Sequence, residues 1–222
     1  MKVDYATYCH HKDADRLHED FNSHLDSHRF KFDKIHVIYQ RVKQRPTITA
    51  NKHEIKAEDY PKILRANGIN PNNKEADEYT HGWDSPHYWK HHCVNHLTAL
   101  EKSEADYIVL SDADCHMING RGSWVNAGIR ILQQNKEALV VSPSDGSNQI
   151  RTQTMSQQLF LCHRQRLKEI DFDLPFTGFT EGGPMQEYYF MLEGRIGRYM
   201  EKHNLYRYIL SDEFRYWHKQ WH

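Results

Sequence analysis

No stretch of this sequence approaches the roughly 18 consecutive apolar residues that a bilayer-spanning helix requires. The apolar runs are short, as at Tyr107 to Leu110. Nor is there a basic segment leading into an apolar run and a small-residue cleavage site near Met1, so no secretory signal is read. The four cysteines, Cys9, Cys93, Cys115 and Cys162, form no CxxC pair, which argues against a disulfide framework or a thiolate zinc site. Charge of one sign is missing too: 29 basic side chains face 30 acidic ones, and no global field recruits nucleic acid or an anionic membrane. Internal repeats and low-complexity tracts are absent. These absences lead to the expectation of a soluble chain without a membrane span, its thiols reduced in a cytoplasmic compartment.

The pattern that is present alternates strand and helix. Val3 to Tyr8 alternates Val3, Tyr5 and Thr7 with Asp4, Ala6 and Tyr8, the period of a half-buried strand. Asp13 then stands where a cap belongs, before an apolar stripe of Ala14, Leu17, Phe21 and Leu25. Lys34 to Tyr39 reads as a second strand, so the opening is a βαβ unit with a parallel sheet. From about 40 to 80 the sequence turns Pro-, Asn- and Lys-rich and reads as an insertion, turn chemistry rather than core. Asp84-Ser85-Pro86 predicts a helix start, with a stripe of Trp89, Cys93, Leu97 and Leu100 running to about Lys102.

Tyr107 to Leu110 is short, apolar and β-prone, as a strand buried on both faces should be. A helix capped by Ser123 over Trp124 to Gln134, a strand over Ala138 to Ser142, a strand over Gln158 to Cys162 and a short helix from Arg164 to Ile170 continue the alternation. Gly182-Gly183-Pro184 opens a helix through Glu193, which Gly194 is placed to terminate. Residues 204–222 form a tail of no clear period, rich in aromatics and histidine. The length of 222 residues suits a single α/β domain over 1–222, with a mostly parallel central sheet flanked by helices.

Ligands of open α/β sheets bind outside the carboxyl ends of the strands. Asp112-Ala113-Asp114 directly follows the buried strand Tyr107 to Ser111. Two hard oxygen ligands two residues apart suit Mn²⁺ or Mg²⁺, which takes few protein carboxylates and completes its shell with diphosphate oxygens and water. Asp112 and Asp114 are therefore the candidate metal ligands. The 17 histidines invite other metal readings. His87, His91, His92 and His96 include i, i+4 pairs, but no HExxH is present, and a solvated histidine-rich helix face accounts for them.

Gly82-Trp83, Lys90 and the run Ala105-Asp106-Tyr107-Ile108-Val109-Leu110-Ser111-Asp112-Ala113-Asp114 resemble the central block of the GT-A nucleotide-sugar glycosyltransferases of the DxD-containing, family-2-like kind. Ala6-Thr7-Tyr8 resembles the nucleoside-contacting end of their first strand. The resemblance implies a Rossmann-like GT-A domain that transfers sugar from a nucleoside-diphosphate sugar, with a UDP-sugar favoured, to an acceptor hydroxyl of a glycan, protein, small molecule or modified nucleobase. It also implies residue roles. Asp114 binds metal, Asp112 meets ribose or metal, and Ala113 lies between them at the nucleotide. Thr7 and Tyr8 face base and ribose, Lys90 meets the diphosphate, and Trp83 stacks or packs. His218 or His222 completes the metal shell as the tail closes the site.

The segment through Met185-Gln186-Glu187 resembles the acidic element that supplies the general base of inverting members, giving Glu187 that role with Glu181 as the fallback. Glu187 would equally complement the positive end of a helix. One departure stands out: Tyr39-Gln40-Arg41 follows the second strand, where the family commonly carries an aspartate for the base. Three other readings stay open: a nucleotidyltransferase, a haloacid-dehalogenase-like phosphatase with Asp112 as nucleophile, and a sugar- or nucleotide-binding module without turnover.

Overall fold

The computed structural model describes residues 1–10, 14–40, 42, 48–72, 87–118, 120–144, 146, 149–156, 158–171 and 192–218; of these, the side chains of 10, 14–16, 18, 87–92 and 218 are left aside. In chain order the elements are β1 (Val3–His10), α1 (Ala14–Ser27), β2 (Lys34–Gln40), β3 (Asn51–Ile55), α2 (Tyr60–Ala66), α3 (His87–Lys102), β4 (Tyr107–Ser111), β5 (Cys115–Met117), α4 (Trp124–Gln134), β6 (Ala138–Ser142), β7 (Arg151–Thr152), β8 (Leu159–His163), α5 (Arg164–Lys168), α6 (Leu192–His203), β9 (Tyr206–Ile209) and β10 (Tyr216–His218).

Among the described residues, eight strands form one sheet in the order β3-β2-β1-β4-β8-β6-β9-β7, while β5 and β10 form a separate ribbon. The run β3, β2, β1, β4 is parallel throughout. β8 enters antiparallel between β4 and β6, β9 returns parallel to β6, and β7 closes the edge antiparallel to β9. The expected mostly parallel α/β sheet is present, with β8 and β7 reversed. The strand order turns back between β1 and β4, which opens a crevice above their carboxyl ends.

Side-chain alternation along the strands sorts the core onto two faces. Ala6, Ile38, Ile108, Leu110 and Phe160 pack with Leu64 of α2, Leu97 of α3 and Ile196 of α6. On the other face Tyr5, Val109 and Leu161 meet Trp124, Val125 and Ile129 of α4, and Val37 and Tyr39 meet Leu17 and Phe21 of α1. β1 is buried on both sides from Val3 to Thr7. The half-buried expectation failed because Asp4 and Thr7 are polar residues held inside the protein. Helix α4 starts where Ser123 predicts, its hydroxyl accepting the Asn126 N–H at 3.4 Å.

Two sequence readings need correction. Within the stretch expected to be turn chemistry, β3 extends the parallel sheet beside β2, and Ile55, Tyr60, Leu64 and Ile69 belong to the core. An edge strand hid the signal, because Asn51-Lys52-His53-Glu54 carries the polar and charged side chains that such strands use to discourage pairing. The second concerns Gly194, which lies inside α6 rather than ending a helix. Leu192, Ile196 and Met200 recur at four-residue spacing and are fully buried, so tertiary packing outweighs the cost of glycine, about 1 kcal/mol in a helix interior. Asp84-Ser85-Pro86 and Asp13 lie outside the described residues. All four cysteines are free and buried, and among the described residues no helix is long and apolar enough to cross a membrane.

At the amino ends of the strands, opposite the crevice, Asp4 is the anchor. Its carboxylate accepts hydrogen bonds from Ser103 Oγ at 2.7 Å and the Lys34 N–H at 3.1 Å, with His36 Nε2 at 3.2 Å. His36 Nδ1 in turn meets His53 Nε2 on β3 at 3.0 Å. One carboxylate therefore ties β1, β2 and the turn before β4. Asp4→Ala strands two buried partners, Ser103 and His36, and frees the Lys34 N–H, and is expected to cost about 3 kcal/mol. Chemical denaturation of the two proteins checks this, and an unchanged midpoint would remove Asp4 as an anchor.

Candidate functional site

The turn Asp112 to Cys115 leaves β4 at the crevice. Its backbone is held on both sides: the Asp112 N–H donates to the Gln158 carbonyl at 2.7 Å, and the Cys115 N–H donates back to the Asp112 carbonyl at 3.3 Å. Ser111 Oγ also donates to the Asp112 carbonyl at 2.9 Å. Gln158 is in turn fixed by Tyr216 of β10, whose hydroxyl donates to Oε1 at 2.9 Å. The side chains converge as a result. Asp112, Asp114 and Cys115 each bring one ligand atom within 4.8 Å of the others. Asp112 is buried, Asp114 half-buried and Cys115 fully buried.

Two carboxylates on one rigid turn suit a hard divalent cation that keeps water or diphosphate oxygens in its remaining positions. The two carboxylates are the donors that suit Mn²⁺ or Mg²⁺; the neighbouring thiol is a softer donor that neither ion requires. The residues present fit such an ion. Cys115 belongs to no CxxC pair, and its place directly after the second aspartate was the available signal.

Register and packing locate the other expected residues that the structure describes. Thr7 lies opposite Ser111 and is buried, level with the start of the aspartate turn. Tyr8 points to the other face, its ring 6.0 Å from that of His96; one small cavity is nonetheless lined by both Thr7 and Tyr8, with His96 and Ser111. Both also precede the strand end, since β1 continues to His10. Ala113 packs against the cluster of Cys9, Leu17 and Phe21. His218 on β10 has its Cα opposite Cys115, which brings the carboxyl-terminal tail alongside the turn. Lys90 lies on α3. Trp83, Glu181, Glu187 and His222 lie outside the described residues. His96, expected on a solvated helix face, is instead buried and stacked on Phe160, with centroids 6.1 Å apart.

Behind the turn sits a buried group that the sequence reading did not find. Tyr5 hydrogen-bonds His24 Nε2, the His24 ring lies 4.9 Å from that of His116 on β5, and Trp124 Nε1 donates to His28 Nδ1 at 2.9 Å. Ser27 Oγ bridges α1 to the ribbon by donating to the His24 carbonyl at 2.6 Å and accepting the Met117 N–H at 3.4 Å. The four-residue spacing of His24 on α1 and His28 in the turn just after it was the signal. Burial raises the Tyr5 phenol well above its ordinary range, so it stays protonated.

Burial, and secondarily the neighbouring His116, push His28 down from its ordinary 6.5 to about 3. The folded protein therefore holds this imidazole neutral. Its contribution to stability is complete above pH 6.5 and is lost as pH falls from there towards 3, by on the order of 5 kcal/mol in all. His28→Gln keeps an acceptor for Trp124 without a titrating ring, so its stability should fall less steeply over pH 6 to 4. Denaturant midpoints across that range check this; parallel curves for the two proteins would contradict it.

No family model and no curated protein sequence matches the chain. Solved structures do. A mannosyltransferase from Pyrobaculum calidifontis, in complex with GDP-mannose and Mn²⁺, superposes with a TM-score of 0.50 at 13% identity, covering 96% of this chain and 55% of that one. Residues 1–349 of TarS from S. aureus superpose with a TM-score of 0.50 at 12% identity, covering 97% of this chain and 60% of that one. The chain thus spans little more than half the length of these structures. With its parallel β3-β2-β1-β4 run and the aspartate turn after β4, its fold is the GT-A fold of the glycosyltransferases.

Proposed function

We propose that this chain is a metal-dependent glycosyltransferase that moves a sugar from a nucleoside-diphosphate sugar to an acceptor hydroxyl with inversion. The observation that carries this reading is the convergence of Asp112, Asp114 and Cys115 above the point where the strand order reverses. The GDP-mannose and Mn²⁺ held by the similar mannosyltransferase support both the donor class and the metal. We assign Asp112 and Asp114 to the cation, with His218 as the further ligand from the tail. Thr7 and Tyr8 would lie by the nucleoside, and Lys90 and Trp83 by the diphosphate and sugar. A UDP-sugar remains the favoured donor, and the buried free thiols suit the expected cytoplasmic location.

In this reading the acceptor oxygen attacks the anomeric carbon as the bond to the diphosphate breaks, and its electron pair leaves on the diphosphate oxygen. Glu187, or failing it Glu181, takes the acceptor's proton. When bound, the divalent cation supplies Lewis-acid stabilisation of the charge that develops on the leaving diphosphate. Asp112 and Asp114 hold their positions through the backbone ties of the turn, so little reorganisation is required when charge develops.

Asp114→Ala should abolish Mn²⁺-dependent release of nucleoside diphosphate from a panel of sugar nucleotides, with the circular dichroism spectrum unchanged. Normal metal-dependent turnover in that variant would overturn the assignment. Glu187→Gln separates the two roles given to that residue. A base predicts kcat lower by about 10² to 10⁴-fold with donor affinity kept. A helix-end charge predicts roughly 0.3 to 1 kcal/mol of lost stability with little kinetic effect. An anomeric proton signal showing retained configuration in the product would eliminate Glu187 as the base.

A further inference from the structure

The β5-β10 ribbon that leaves the aspartate turn has one face that is only half covered. Directly opposite residues of an antiparallel pair project to the same side, so His116 and Trp217 share a face. The next pair, Ile118 and Arg215, continues it, joined by the Ile118 N–H donating to the Arg215 carbonyl at 2.9 Å. His116 fills the inner part of this face against His24. Trp217 and Ile118 stand outside that packing with 52% and 56% of their surfaces exposed. Exposed large apolar side chains are few among the described residues, the others being Met1 at the chain start and Ile150. Two on one ribbon face form a feature rather than scatter.

The position of this face gives it a meaning. Trp217 lies across the ribbon from His116, two residues beyond Asp114. Asp114 lies in the turn just before β5, so two residues of chain and one cross-strand pairing put its backbone within about 13 Å of that of Trp217. That is where an acceptor would meet a donor sugar whose diphosphate is held at the turn. The patch is one indole and one isoleucine, far below the roughly 800 Å² that a standard protein partner covers on each side. It suits a single small ring with a flat apolar face.

Arg215 borders the patch. It is exposed, and its guanidinium lies against the backbone of Gly146, where a Cβ would come within 2.9 Å of Nη2. A flat aromatic surface bordered by an exposed guanidinium matches a pyranose, whose C–H face stacks on indole while its hydroxyl edge accepts hydrogen bonds.

We propose that Trp217, with Ile118 and Arg215, forms the acceptor subsite and that the acceptor is a carbohydrate. The inference rests on the glycosyltransferase reading for its place in the reaction, but saccharide binding at Trp217 can be observed without turnover. Saturation-transfer NMR with a panel of neutral and acidic di- and trisaccharides should show transfer to the ring C–H protons of at least one of them. Trp217→Ala should weaken that binding about tenfold or more, while Trp217→Phe, which keeps an aromatic face, should stay within about threefold of the parent. A side chain this exposed leaves the thermal midpoint of both variants near that of the parent. Saccharide binding unaltered in Trp217→Ala would overturn the subsite, as would an absence of saturation transfer from the whole panel while wild-type protein binds a nucleoside diphosphate. Saccharide binding lost in Trp217→Ala, in a protein that binds no nucleoside diphosphate, would instead uphold the subsite and overturn the transferase reading.

Discussion

The arrangement depends on one hydrogen bond at a strand end. The Asp112 N–H donates to the Gln158 carbonyl at 2.7 Å where β4 runs out and its antiparallel neighbour β8 begins. A chain leaving a buried strand carries backbone donors that water cannot reach, and each must be paired. Gln158 supplies that partner, and its side chain accepts from Tyr216, so the same residue holds the turn and the tail. The reversal of β8 in an otherwise parallel neighbourhood has a functional consequence. It brings the start of β8 to the carboxyl end of β4, where a parallel strand would have presented its own carboxyl end.

The turn is supported from below as well as from the side. Tyr5 with His24 and Trp124 with His28 form two hydrogen-bonded pairs in the space between β1, α1 and α4, and Ser27 couples α1 to β5. Such groups are costly to bury singly, and each directional bond between them limits how far the elements can slide. At the far end of the sheet Asp4 performs a similar service for β1, β2 and the approach to β4. Two polar anchors therefore fix the height and direction of β4, and with them the position of Asp112 and Asp114. Packing alone tolerates small slides; hydrogen-bonded groups of fixed geometry tolerate fewer.

Much of this was legible in the residues. The strand Tyr107 to Ser111, the capped helix from Ser123 and the strand Ala138 to Ser142 each carry their own local signal, and the aspartate pair is recognisable from its place after a buried strand. What was not legible depended on partners distant in sequence. β3 is polar because it is an edge, and Gly194 sits within a helix because Leu192, Ile196 and Met200 bury one side of it. The direction of β8 is set by neighbours on both sides, not by Leu159 to Cys162 themselves. Cys115 and His218 meet only through the pairing of β5 with β10, and no local period announces a two-stranded ribbon between segments about a hundred residues apart.

The central claim is that the turn after β4 holds a divalent cation together with a nucleotide's diphosphate. The most direct test is calorimetric titration of Mn²⁺ into the wild-type protein, alone and in the presence of uridine or guanosine diphosphate. Two carboxylates leave the coordination shell incomplete, so the account predicts weak binding of Mn²⁺ alone and markedly tighter binding when one of the diphosphates supplies further oxygens. No Mn²⁺ binding under either condition, or an affinity indifferent to both nucleotides, would contradict it.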